Sequence, residues 1–224
     1  MRVMLADKIL DFLFNLQFTV PLAQDVEVIN PFTDAEAQRV ATEFYRKYYN
    51  DNNPRYCIIG INPGRFGAGV TGVPFTDPIR LKSECGIEGK WAMKQELSSI
   101  FVYDVVNAFG GPKSFYGKFY ITAVSPLGFT KNGKNLNYYD DKQLIQSIKP
   151  FAVDCFKKQL DWGLQASAAF CLGEGVNYKF LSRLNDEYKL FQKIVPLPHP
   201  RFIMQYKLKQ KELYIEKYIK ELNL

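Results

Sequence analysis

The chain has 224 residues, enough for one α/β domain with little room for a second, and with 47% hydrophobic and 15% aromatic residues it can bury a full core, which excludes global disorder. Basic residues outnumber acidic ones 29 to 23, and the resulting +6 permits a polyanionic partner without requiring one. Cys57, Cys85, Cys155 and Cys171 form no CxxC pair, so neither a zinc site nor a disulfide framework is expected, and a reducing, cytoplasmic compartment is. His199 is the only histidine, which excludes any mechanism that needs a second.

Along the chain, Asp7, Lys8 and Asp11 interrupt the apolar N-terminal run, which is therefore no export signal. No stretch reaches the ~20 uninterrupted apolar residues of a membrane span, so no membrane partner is expected. Met4, Leu5, Ile9, Leu10, Phe12, Leu13 and Leu16 predict an amphipathic helix packed on the domain. Thr33-Asp34-Ala35-Glu36 has capping-box spacing, and a helix runs from it to about Tyr49. Residues 56–61 (YCIIGI) read as a buried strand, followed by a glycine-rich loop over 62–78. A helical segment over 92–109 stops at Gly110-Gly111, and residues 118–125 form a second strand broken by Pro126. After a polar loop come a helix over 140–160, a third strand over 167–172 and a further helix. Residues 193–197 form a fourth strand, with Pro196 marking an end or edge, and a last helix over 205–222 is basic on one side.

Strands separated by helices imply a three-layer α/β/α sandwich around a central, mainly parallel four-stranded sheet. Residues 1–224 form a single domain, with residues 1–50 as a helical extension packed on it. In such a sheet the site lies beyond the carboxyl ends of the strands. Asn62 follows the first strand, Ser125-Pro126 the second, Gly173 the third and His199 the fourth. This delivery to one rim nominates Asn62 and His199 as a pair. The Asn62 loop lacks the lysine of a phosphate-binding loop, and neither GxGxxG nor GxSxG occurs. What remains is an amide that can orient water without titrating and an imidazole that can donate to an oxygen gaining charge. Those abilities suit cleavage of a bond whose leaving group departs as a delocalised anion, such as a nucleobase.

GINPGRFGAGVTGVPF, residues 60–75, closely resembles motif one of the single-strand-selective monofunctional uracil-DNA glycosylases. Pro198-His199-Pro200 resembles the start of their motif two. Residues 119–127 are similar to the family's second strand and its Pro-Leu exit, and Gly133-Lys134-Asn135-Leu136 to the loop beyond it. The resemblance covers roughly residues 57–209 in order and implies the uracil-DNA glycosylase superfamily fold.

The resemblance implies that Asn62 positions the attacking water, that His199 stabilises the departing base oxygen and that Phe75 stacks on the flipped base. The backbone near Ile61 and Gly64 shapes the base pocket. Residues 201–206 would be a loop that wedges into the duplex, with Arg201, Phe202, Ile203, Tyr206, Lys207 and Lys209 as DNA contacts. DNA is the partner and no cofactor or metal is implied; a monomer is expected. Two positions depart from the pattern. Ala123 stands where the family has its base-reading asparagine, and Arg201-Phe202 stands where Ser-Pro follows His-Pro. Alanine offers neither donor nor acceptor to an imide edge, so hypoxanthine or xanthine is an alternative to uracil. A DNA-binding protein that has lost catalysis and a hydrolase of small nucleosides are the competing functions.

Overall fold

The computed structural model describes residues 2–223. The N-terminal apolar stripe forms α1 (Leu5–Phe14), whose Leu5, Ile9, Leu10 and Leu13 are buried. The backbone N–H groups of Leu5 and Ala6 donate to the carbonyls of Asp51 and Tyr49, at 2.8 and 2.9 Å, so the start of the helix is tied to the loop before the first core strand. A short strand not foreseen from the sequence, β1 (Val26–Ile29), follows, so the first 50 residues are not purely helical. The next helix, α2 (Ala35–Tyr48), is capped by Asp34, one residue beyond the expected cap Thr33. Asp34 has the extended backbone a cap requires and accepts from the Glu36 N–H at 2.7 Å, whereas the Thr33 hydroxyl already donates to the Asn30 carbonyl. Tyr45 on this helix and Tyr49 at its C-cap are buried.

The first core strand, β2 (Tyr56–Gly60), leads into the glycine-rich loop, which contains one turn of helix, α3 (Ala68–Thr71), and runs into α4 (Pro78–Ser83). Asp77, fully buried, accepts from the Arg80 N–H and the Glu96 N–H, each at 2.8 Å. The helix expected over 92–109 is α5 (Leu97–Ala108), which stops before Gly110-Gly111 as expected, and a second helix follows at once. Gly110, at φ 104°, takes the left-handed turn that starts α6 (Gly111–Lys118), which feeds β3 (Phe119–Ala123).

The expected polar loop is a hairpin of β4 (Gly128–Lys131) and β5 (Lys134–Leu136). Its turn residues Asn132 and Gly133 both have positive φ, 50° and 70°, as a two-residue type I′ turn demands. The Asn-Gly pair carried that signal in the sequence. Then come α7 (Lys142–Leu160), β6 (Gln165–Leu172), α8 (Val176–Tyr188), β7 (Ile194–Leu197), α9 (Pro200–Tyr206) and α10 (Lys211–Leu222).

The central sheet has the order β3-β2-β6-β7 with every pairing parallel, and helices flank it. This is the expected α/β/α architecture. A second sheet, β1-β4-β5, is antiparallel and holds the hairpin against the exit of β2: a side chain at Gly128 would strike the Pro63 carbonyl at 2.3 Å. Parallel pairing aligns the strand exits, with Gly60 opposite Ala123 and Leu172 opposite Leu197. Among the described residues, no helix is long and apolar enough to cross a membrane.

Candidate active site

The aligned exits open onto a cleft of about 670 Å³. Asn62, Gly64, Phe75, Ala123 and His199 all line it, as do Ile61 and Arg201. Residues separated by more than a hundred positions thus share one wall because each follows a strand of the same parallel sheet.

Asn62 is held at both ends of its amide. Nδ2 donates to the Leu136 carbonyl at 3.1 Å and the Pro63 carbonyl at 3.3 Å, while Oδ1 accepts from the Tyr138 N–H at 3.0 Å. These bonds fix which end is oxygen and leave Oδ1 a second lone pair. The segment that grips the amide is itself anchored, because the Tyr138 hydroxyl donates to Asn177 Oδ1 at 2.8 Å and Asn177 Nδ2 donates to the Leu172 carbonyl at 2.9 Å. Asn177 and Tyr138 were not singled out from the sequence. Nothing local marks them, since their role depends on the turn after β5 meeting the first turn of α8.

His199 caps α9, with Nδ1 accepting from the Arg201 N–H at 3.1 Å. An accepting Nδ1 carries no proton, so the neutral ring bears its hydrogen on Nε2. Burial, reinforced by the Arg201 charge, lowers the imidazole pKa from 6.5 to about 4. The ring is therefore an uncharged donor at neutral pH.

Phe75 sits at φ 52°, a left-handed conformation that costs a non-glycine residue about 1–2 kcal/mol. That backbone lays its ring against Gly60, where any Cβ would lie 3.2 Å from Phe75 Cε2, and 6.2 Å from the His199 ring centroid. A side chain at Gly60 would press on the aromatic ring and push it by a few tenths of an ångström. Ala123 ends β3 beside it and contributes only a methyl group. Ser125 does not compensate: its buried hydroxyl donates to the Leu127 carbonyl at 2.6 Å.

The segment read as a wedge loop is a helix. α9 occupies residues 200–206, and the last helix begins at Lys211, not at 205. Ile203 is fully buried and leaves the set of candidate DNA contacts. Its side chain, the fourth after the His199 cap, shares the inner face with Pro200, while Arg201 and Phe202 between them face out, because residues three apart on a helix lie on one side. Phe202 and Tyr206, 43% and 71% exposed with rings 5.6 Å apart, form an aromatic pair at the cleft mouth. Arg201 and Lys209 are exposed and Lys207 half-buried beside them. Two further lysines of the basic C-terminal stretch are occupied, Lys211 by Asp104 and Lys217 by Glu174, each at 2.9 Å.

A model of the family described as the uracil DNA glycosylase superfamily matches residues 46–223. The chain belongs to the uracil DNA glycosylase superfamily. The crystal structure of Pedobacter heparinus SMUG2 superposes with a TM-score of 0.96 at 46% sequence identity, covering 99% of this chain and 98% of that one. This superfamily member is accordingly SMUG-like, and by family a DNA glycosylase of base excision repair. No curated protein matches it. The family match begins within α2, so α1 and β1 lie outside the shared model.

Proposed function

We propose that the protein hydrolyses the N-glycosidic bond of a deaminated base, uracil or alternatively hypoxanthine or xanthine, after flipping it from DNA into the cleft. The observation that carries the reading is the pairing of an amide locked with one free lone pair and a neutral imidazole locked with its N–H on Nε2. The flipped base stacks on Phe75. As the C1′–N bond breaks, its electron pair moves into the base and spreads onto a ring carbonyl oxygen. His199 Nε2–H donates to that oxygen, and a neutral donor does so without surrendering its proton. Water held by the free lone pair of Asn62 Oδ1 adds to C1′ and releases its proton to solvent, leaving an abasic sugar and the free base. Phe202 and Tyr206 fill the space vacated in the duplex, and Arg201, Lys207 and Lys209 hold phosphates.

Oligonucleotides carrying uracil, hypoxanthine or xanthine, in single and double strands, test this when treated with alkali after incubation. Strand cleavage at the modified position is expected. Absence of abasic sites on every substrate would overturn the reading. Ala123 favours a second reading, a protein of this fold that binds DNA without turnover; multiple-turnover base release excludes it.

A further inference from the structure

With a methyl group at Ala123 and the Ser125 hydroxyl spent on Leu127, the end of β3 supplies no side chain to read a base edge. Two polar atoms elsewhere in the cleft do converge, beside Gly64, two residues beyond Asn62. A Cβ built on Gly64 would lie 3.4 Å from Asn135 Nδ2 and 3.9 Å from Glu96 Oε1. The space a side chain would take is therefore left between a donor and an acceptor, both on the cleft wall.

Each group is oriented. Asn135 Oδ1 accepts from the Arg65 N–H at 3.1 Å, which turns Nδ2 toward Gly64, and among the described residues Nδ2 donates to nothing. The Glu96 backbone N–H is fixed on Asp77, and the only hydrogen bond to its carboxylate among the described residues is a long one, from Ser99 Oγ to Oε2 at 3.4 Å. The glycine-rich loop closes over this carboxylate, for a Cβ on Gly67 would meet Oε2 at 1.8 Å. Burial and the Asp77 charge raise the carboxyl pKa, against the pull of Arg201. A half-buried carboxylate with so little compensation is an unfinished site, and a ligand donor completes it.

We infer that Asn135 and Glu96 read the edge of the flipped base: Asn135 Nδ2 donates to a ring carbonyl, and Glu96 accepts from the adjacent ring N–H. The inference rests on the glycosylase reading above and supplies its specificity. Deamination converts an amino group beside a lone-pair nitrogen into a carbonyl beside an N–H. The pair therefore matches uracil, hypoxanthine and xanthine. Against cytosine or adenine it sets donor to donor and carboxylate to lone pair, which rejects those two bases; guanine and thymine carry a carbonyl beside an N–H of their own and are not discriminated by this pair.

Two isosteric variants test it, Asn135→Asp, which keeps the acceptor for Arg65, and Glu96→Gln. Single-turnover rates on the deaminated bases and on cytosine and adenine controls are measured with thermal midpoints and with affinity for an abasic-site duplex, which has no base to read. Asn135→Asp is expected to slow release of the deaminated bases about tenfold or more, and Glu96→Gln to narrow the preference for deaminated bases over cytosine and adenine. Both should keep the parental midpoint and abasic-duplex affinity. Parental rates and preferences in both variants, or an equal loss of abasic-duplex affinity, overturn the inference while the glycosylase reading stands. A parent chain that releases none of the bases overturns both.

Discussion

At the scale of single residues, two locked side chains carry distinct burdens, and their removal separates them. Asn62→Ala deletes the water-orienting lone pair and should slow base release by roughly two to three orders of magnitude, about 3–4 kcal/mol in the barrier. Affinity for DNA should survive, because phosphate contacts dominate it. Single-turnover kinetics with a parallel binding isotherm checks both. His199→Ala should slow every accepted base by a similar factor, ~10²–10³, since the donor meets charge common to all of them. The wild-type rate should show no inflection near pH 6.5, because the His199 pKa lies near 4 and the ring stays neutral throughout. Stability follows the same shift with a definite sign. The unfolded chain takes up this proton below about pH 6.5 and the folded one only near pH 4. The contribution of His199 is thus full above pH 6.5 and is lost as pH falls from there toward 4. Denaturant midpoints across that range should fall less steeply with acid in His199→Ala than in the parent. Ala123→Asn places an amide opposite Gly60 and should shift preference toward uracil, read as the ratio of rates on uracil and hypoxanthine.

At the scale of elements, α9 divides its work by face. Its start is set by His199, so the cap that begins the helix is also the group poised over the cleft. Ile203 on the inner face anchors it, and Ile203→Ala should cost about 2–4 kcal/mol of stability in denaturant unfolding. Phe202→Ala and Tyr206→Ala on the outer face should leave the unfolding midpoint nearly unchanged and weaken binding to a duplex carrying a target base. The β4–β5 hairpin has a comparable double role. Its exit carries the Leu136 carbonyl and the Tyr138 N–H that fix Asn62, and its Asn135 faces Gly64.

At the scale of the whole molecule, the net charge of +6 matters by where it is left unpaired. Lys211 and Lys217 are neutralised by carboxylates, whereas Arg201, Lys207 and Lys209 cluster beside the cleft without a salt bridge among the described residues. DNA affinity should fall steeply with salt. Lys207→Ala and Lys209→Ala should each flatten the slope of log affinity against log salt by about one. Anisotropy titrations over a range of ionic strength would measure this, and unchanged slopes would place the phosphate contacts elsewhere.

The sequence by itself determined the layered α/β fold and the parallel sheet, because buried strands and the helices between them write their periodicity locally. It also brought Asn62 and His199 to one rim, since a parallel sheet sends every strand exit the same way. Motif one was legible as a contiguous stretch. The small antiparallel sheet was not read, although Asn132-Gly133 announced its turn, because β1 and β5 are only four and three residues long and β1 gains its pairing from β4, about a hundred positions along the chain. Nor could the sequence show that Ile203 faces inward, since the segment after His199-Pro200 reads equally as loop or helix. Glu96, Asn135 and Asn177 were decided only by tertiary structure. A carboxylate before a helix and asparagines in turns are ordinary locally, and what distinguishes them is the groups that folding sets opposite them: Gly67 against Glu96, Gly64 against Asn135 and the Tyr138 hydroxyl against Asn177.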